Sequence, residues 1–207
     1  MKPLLITDCD EVLLHMVRHF GTWLAEAHAI DFALSHHDMA GAMRNADGTL
    51  VGRERLWDLL GGFFPREMGR QTLVPHAREA LLHLSSIADV VILTNLGDHC
   101  RQARTEQLAT HGIEFRVECN QGGKGPPVAR LVEEHGPSVT VFVDDLATHH
   151  ESVAEHARGV HRLHMIQEPE LARRVPQAPH AHARIDGWRE ATRWIEDRFT
   201  AGRAADA

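Results

Sequence analysis

Five short apolar runs, each broken off by polar or acidic residues, constrain this chain more than any other feature. They are Pro3 to Thr7, Asp89 to Leu93, Phe115 to Glu118, Val139 to Val143 and residues 160 to 165. Runs of this length suit buried strands, and the segments between them carry apolar residues at intervals of three and four, the spacing of amphipathic helices. Strands alternating with helices predict an α/β fold, a Rossmann-like parallel sheet with helices on both faces, because parallel neighbours need crossovers and these are usually helical.

The alternation has one long interruption. Leu13, Val17, Phe20, Leu24 and Ala27 predict a helix through about Ile30. The stretch from His36 to Gly52 is less regular and holds a turn signal at Asn45 to Gly48. Arg53 to Leu60 reads as helix, ended by Gly61-Gly62. Residues 13–73 are therefore expected to form a small helical cap inserted after the first strand, with 1–12 and 74–207 as the α/β core. Within that core, helices are expected from Pro75, over Asp98 to His111, from Pro126-Pro127 and over 149–157. A last helix follows the Pro/His-rich stretch VPQAPHAHA, with Trp188, Ala191, Ile195 and Phe199 on one face. No internal repeat is present.

Composition narrows the partners. The formal charge is −7 with 17 histidines counted as neutral. At an unperturbed pKa near 6.5 about a quarter of them carry a proton at pH 7, which softens the charge to roughly −3. No basic excess opposes a phosphate backbone, and 4 Trp and 7 Phe with no Tyr leave few rings for base stacking, so a long nucleic acid is not an expected partner. No apolar run approaches the roughly 18 to 20 residues that span a bilayer, which argues against a membrane partner. Cys9, Cys100 and Cys119 cannot pair completely and form no CxxC, so a reduced, cytoplasmic setting is expected.

The chemistry gathers where the strands stop, and ligands of open parallel sheets bind beyond the carboxyl ends of the strands. The first run ends in Asp8-Cys9-Asp10, whose two-residue spacing turns both carboxylates to one side and Cys9 to the other if the strand continues. Two carboxylates in one pocket repel unless a cation or proton intervenes, which suggests a hard divalent metal or an acid/base couple. The second run ends in Thr94-Asn95, a hydroxyl and an amide suited to phosphate or carboxylate oxygens. Lys124 stands in GGKGPP, where glycines admit close backbone approach to an anion. Val139 to Val143 ends in Asp144-Asp145, a second acidic pair that can complete an oxygen cage for Mg2+ with the first.

In this order LLITDCDEV, VVILTN, GGKG and VFVDD resemble the haloacid dehalogenase (HAD) superfamily, whose phosphatases carry DxD, a strand-end Thr or Ser, a Lys and a final acidic pair. The resemblance covers about residues 3 to 165, and the inserted helical segment is similar to the C1 type of cap. It implies a Mg2+-dependent phosphatase of a small phosphorylated metabolite, with Asp8 as nucleophile and Asp10 as general acid and then base. Thr94, Asn95 and Lys124 would hold the phosphate, and Asp8, Asp10 through its carbonyl, Asp144 and Asp145 would surround the metal. Glu11 stands where the superfamily often has glycine. A phosphomutase or phosphotransferase would use the same residues, and a non-catalytic binding domain could keep the fold. Dehalogenation is disfavoured, because members that displace halide typically lack the second aspartate.

Other features have plainer readings. His36-His37, His149-His150 and His180-Ala181-His182 lack a zinc-binding pattern and read as structural or surface residues, although His149 and His150 follow the acidic pair closely. Cys9 reads as a small core residue rather than a nucleophile. Trp23, Arg44, Arg53 and Trp57 read as packing or solvated groups of the cap.

Overall fold

A computed structural model of the chain describes residues 1–33 and 39–206; the His36-His37 pair lies outside the described residues. In chain order the strands are β1 (Leu4–Thr7), β2 (Leu14–His15), β3 (Asp31–Phe32), β4 (Met43–Arg44), β5 (Thr72–Leu73), β6 (Asp89–Thr94), β7 (Arg116–Cys119), β8 (Thr140–Asp144), β9 (His161–His164) and β10 (Ala183–Arg184). The helices are α1 (Val17–His28), α2 (Arg53–Glu67), α3 (Ala77–Ser85), α4 (Arg101–Thr110), α5 (Gly125–His135), α6 (Ala147–His156), the single turn α7 (Pro169–Ala172) and α8 (Trp188–Ala201).

Six strands form one parallel sheet in the order β10-β9-β8-β1-β6-β7. β1 is central, with Leu5 opposite Val90 on one side and Val141 on the other. Its Leu4 and Ile6 face one apolar layer and Leu5 the other, as the period of a strand requires. Leu5, Ile92, Val141, Val143 and Leu163 pack against α3, α4 and α8, while Leu4, Ile6, Val91 and Phe142 pack against α5 and α6. Each such side chain, fully withdrawn from water, stabilises the fold by about 1.5–3 kcal/mol. The sheet is therefore covered on both faces, in agreement with the expected fold class.

The segment between β1 and β6 has its own apolar cluster, built from Phe20, Trp23 and Leu24 of α1 and Leu56, Leu59 and Phe63 of α2. It is less purely helical than the sequence suggests. The expected helix from Leu13 starts at Val17, because Leu14 and His15 pair instead with Leu73 and Thr72 as a two-stranded antiparallel ribbon. The chain enters and leaves the segment through this ribbon. The sequence reading also passed over β3 and β4 within the segment, and α7 and β10 around the Pro/His-rich stretch. None of the described helices is long and apolar enough to cross a membrane.

Candidate active site

The site lies at the carboxyl ends of β1, β6 and β8, where the apolar runs give way to polar residues. Strand β1 stops at Thr7, but Asp8 N still donates to Val143 O (2.8 Å), which fixes Asp8 beside the end of β8. The chain then turns sharply, with Leu13 N and Leu14 N both donating to Cys9 O (2.8 and 2.9 Å). Glu11 lies in this turn with φ of 60°, the left-handed region that favours glycine. Its carboxylate offsets the backbone cost: Oε1 accepts from Met16 N (2.8 Å) and Val17 N (2.7 Å), satisfying free N–H groups at the start of α1. From the opposite side, Trp188 Nε1 of α8 donates to Val12 O (2.8 Å) and braces the turn.

The alternation argument for Asp8-Cys9-Asp10 does not apply beyond Thr7, because the residues are in a turn. Asp8 and Asp10 are held by different cations. Lys124 Nζ lies 2.6 Å from Asp8 Oδ1 and 2.7 Å from Asp144 Oδ2, and the lysine is fully buried. Asp10 receives both oxygens' contacts from Arg104 Nη2 (2.9 and 3.0 Å), a second fully buried cation, on α4. Gln71 Nε2 also donates to Asp10 Oδ1 (2.6 Å), and Thr94 Oγ1 lies 3.5 Å from Asp10 Oδ2. Arg104 Nη1 in turn reaches Gln71 Oε1 and Gln107 Oε1 (both 3.1 Å) and Cys9 Sγ (3.4 Å). Cys9 is a fully buried core residue whose thiol burial pushes far up, so it is held protonated.

Asp8, Asp144 and the half-buried Asp145 bring carboxylate oxygens within 4.8 Å of one another. Burial pushes the Asp8 carboxyl up to about 7; Lys124 opposes this, while Asp144 and Asp10 add to it. Asp145 is raised well above the usual range by burial and by the Asp144, Asp8 and Glu11 charges. Burial acts on Asp144 the same way and is the largest single effect, but the Lys124 charge, His149, His150 and the Lys124 hydrogen bond together outweigh it and hold Asp144 below the usual range. Burial alone would lower Lys124; Asp144 and Asp8 reverse this and keep it a cation. Three carboxylates around one ammonium leave an excess of negative charge on oxygen donors, the set a hard divalent cation takes. The residues present fit a Mg2+ ion.

The loops around this core are tied by polar side chains. Asn95 is exposed, and its Nδ2 donates to Gly122 O (2.9 Å) and lies 3.2 Å from His149 Nε2. Its amide thus binds the end of β6 to the loop that carries Lys124, instead of standing open to an anion. Asp144 Oδ1 accepts from Leu146 N (2.9 Å) at the start of α6. His150 Nε2 donates to Asp144 O (3.0 Å), and His164 Nε2 donates to Asp145 O (2.8 Å). Because Ala178 N donates to His164 Nδ1 (3.0 Å), the tautomer of His164 is fixed as neutral with its proton on Nε2.

Every residue singled out at a strand end is therefore close to this site, except that Asn95 serves a loop. Sequence reasoning missed Arg104, Gln71, Gln107 and His164. A signal for Arg104 existed only in hindsight: it recurs with Leu108 at four residues, the inward spacing of α4.

No protein-family model matches the sequence, and no curated protein sequence matches it either. Solved structures do resemble the fold. A haloacid dehalogenase-like hydrolase family protein from Streptococcus pneumoniae is 12% identical, with a TM-score of 0.64 over 93% of this chain and 97% of that one. A protein assigned as a beta-phosphoglucomutase from Thermotoga maritima is 16% identical, with a TM-score of 0.64 over 95% of this chain and 99% of that one. A predicted phosphoglycolate phosphatase from Haemophilus somnus is 12% identical, with a TM-score of 0.63 over 93% of this chain and 97% of that one. This chain has the haloacid dehalogenase-like fold.

Proposed function

We propose that this chain is a hydrolase of the HAD superfamily, a Mg2+-dependent phosphatase that hydrolyses a small phosphomonoester through an aspartyl-phosphate on Asp8. One observation carries the reading. Lys124 bridges Asp8 and Asp144 at 2.6 and 2.7 Å, with Asp145 beside them, at the ends of adjacent parallel strands. The resemblance of the fold to structures described as phosphatase and mutase supports it.

Asp8, Asp144 and Asp145, with the main-chain carbonyl of Asp10, would hold the metal. When bound, Mg2+ neutralises charge on the carboxylates and on the phosphoryl oxygens they face. Lys124 occupies Asp8 Oδ1 and leaves Oδ2 outside the ion pair as the attacking oxygen. Attack on phosphorus forms the O–P bond to Asp8 and breaks the bond to the leaving alkoxide, which takes a proton from Asp10. Asp10 then removes a proton from water, and the hydroxide attacks phosphorus to release phosphate and restore Asp8. Arg104 contacts both Asp10 oxygens, so Asp10 must part from the guanidinium to reach the leaving group.

The test is phosphate release from a panel of phosphomonoesters with Mg2+. Release is expected to stop with EDTA and in Asp8→Asn, and to fall by about 10²- to 10⁴-fold in Asp10→Asn. Turnover that survives Asp8→Asn would overturn the reading. The likeness to the Thermotoga protein favours a second acceptor class, a sugar hydroxyl in place of water. Product analysis separates them, because transfer yields a new phosphoester and little free phosphate.

A further inference from the structure

Beside the proposed catalytic residues, and unused by that reaction, lies a second group of ligating side chains. Glu11 follows Asp10 in the turn, His15 is in β2, and Glu168 immediately precedes α7. All three are at least nine-tenths buried, with exposures of 2%, 5% and 6%. One ligand atom from each lies within 4.8 Å of the others, although Glu168 is more than 150 positions away in sequence.

Two atoms in this group lack any hydrogen-bond partner. Glu11 Oε2 and His15 Nδ1 are both buried and unsatisfied, which costs about 1–3 kcal/mol for each polar group. Glu11 Oε1 is already saturated by the α1 N–H groups, so Oε2 is the free oxygen. Glu168 Oε2 takes both contacts from Arg18, at 3.0 and 2.9 Å, which leaves Oε1 outside that pair. Arg18 thus pairs with Glu168 alone, and Glu11 Oε2 and His15 Nδ1 are left without a protein partner.

We propose that Glu11, His15 and Glu168 form a binding site for a divalent first-row transition ion of the zinc class, separate from the oxygen-only group at Asp8, Asp144 and Asp145. An imidazole with two carboxylates is a borderline donor set, which suits zinc better than magnesium. The ion would give Glu11 Oε2 and His15 Nδ1 the partner they lack and balance the second carboxylate. It would also tie the ribbon that leads into the inserted segment to the loop before α7, so zinc stiffens the attachment of that segment. Nothing in this proposal depends on phosphatase activity.

The experiment uses the full chain without an affinity tag, stripped with a chelator and placed in excess Mg2+ to fill the oxygen-only group. Zinc alone is titrated by calorimetry. One zinc per chain is expected in the wild type and in Asp145→Asn. Affinity is expected to fall tenfold or more in His15→Gln and in Glu168→Gln. In the wild type, NMR should show the ring nitrogens of His15 shifting with zinc while those of surface His161, His180 and His182 stay put, which needs no substitution. Absence of zinc binding, binding unaltered in both variants, or a His15 ring that does not respond would overturn the proposal. Loss of zinc in Asp145→Asn would assign the ion to the oxygen-only group and overturn it as well.

Discussion

Lys124 is the single cation shared by two buried carboxylates, and this fixes what its removal should do. Replacing one member of a buried ionic cluster leaves uncompensated charge and costs about 3–5 kcal/mol. Lys124→Met is therefore expected to lower unfolding stability by that order in urea titration, and to abolish phosphate release in the same preparation. A variant as stable as the wild type would mean that Asp8 and Asp144 are not charged together. His164 makes a different prediction. Burial lowers its pKa below the usual 6.5, and protonation would place a second N–H against Ala178 N. The unfolded chain takes up this proton near pH 6.5 while the folded chain resists it. The contribution of neutral His164 is thus present above about pH 6.5 and is lost as pH falls below the unfolded value. A cation at the acidic pair would push the same way. Thermal midpoints measured from pH 7.5 to 5 should fall less steeply in His164→Gln than in the wild type, with the variant less stable at the alkaline end. Asp8 and Asp144 were legible in sequence because charged residues end apolar runs there, and Lys124 because glycines flank it in GGKGPP. His164 was not: it is the last residue of β9, and only main-chain groups of distant loops give its ring a role.

Among the elements, the turn after β1 and the start of α5 hold the site together. Gly125 follows Lys124, and a Cβ there would lie 2.1 Å from Ser152 O, a backbone atom of α6. α5 and α6 lie side by side under the sheet, so the clash has to move one helix. Gly125→Ala is expected to cost about 1–3 kcal/mol by overpacking and to displace Lys124 from Asp8, lowering turnover as well as the thermal midpoint. Normal turnover with a native midpoint would show that the helices adjust freely. The sequence anticipated α5 well, since Pro126-Pro127 suits the first turn of a helix. It misjudged α1, which loses its first residues to the Leu14-His15 ribbon, because cross-strand pairing outweighed helical periodicity. It also missed β10, two residues long and starting at the last residue of the Pro/His-rich stretch, because a pairing of that length leaves no periodic pattern.

For the molecule as a whole, the inserted segment and the core meet at Asp10. Gln71, just before β5, donates to this carboxylate, and Gln107 Nε2 donates to Met68 O in the same crossing. Arg104 joins both glutamines to Asp10, so the orientation of the segment and the state of Asp10 are linked by one hydrogen-bonded network. Metal binding offers a global readout of the other half of the site. An ion that binds only the folded chain stabilises it by about 2.7 kcal/mol at a hundred times its Kd. Mg2+ is expected to raise the thermal midpoint of the wild type and to leave that of Asp145→Asn nearly unchanged; equal shifts in both would place the ion elsewhere. The amino-acid sequence alone determined the parallel α/β layering and the order of the site groups, because strand periodicity and charged strand ends are local properties of the chain. Tertiary structure alone decided which cation each carboxylate meets. Arg104 reaches Asp10 across 94 positions and Glu168 approaches His15 across more than 150. Such pairings depend on how helices settle against the sheet, and burial then makes Arg104, of a residue type usually at the surface, a fixed partner.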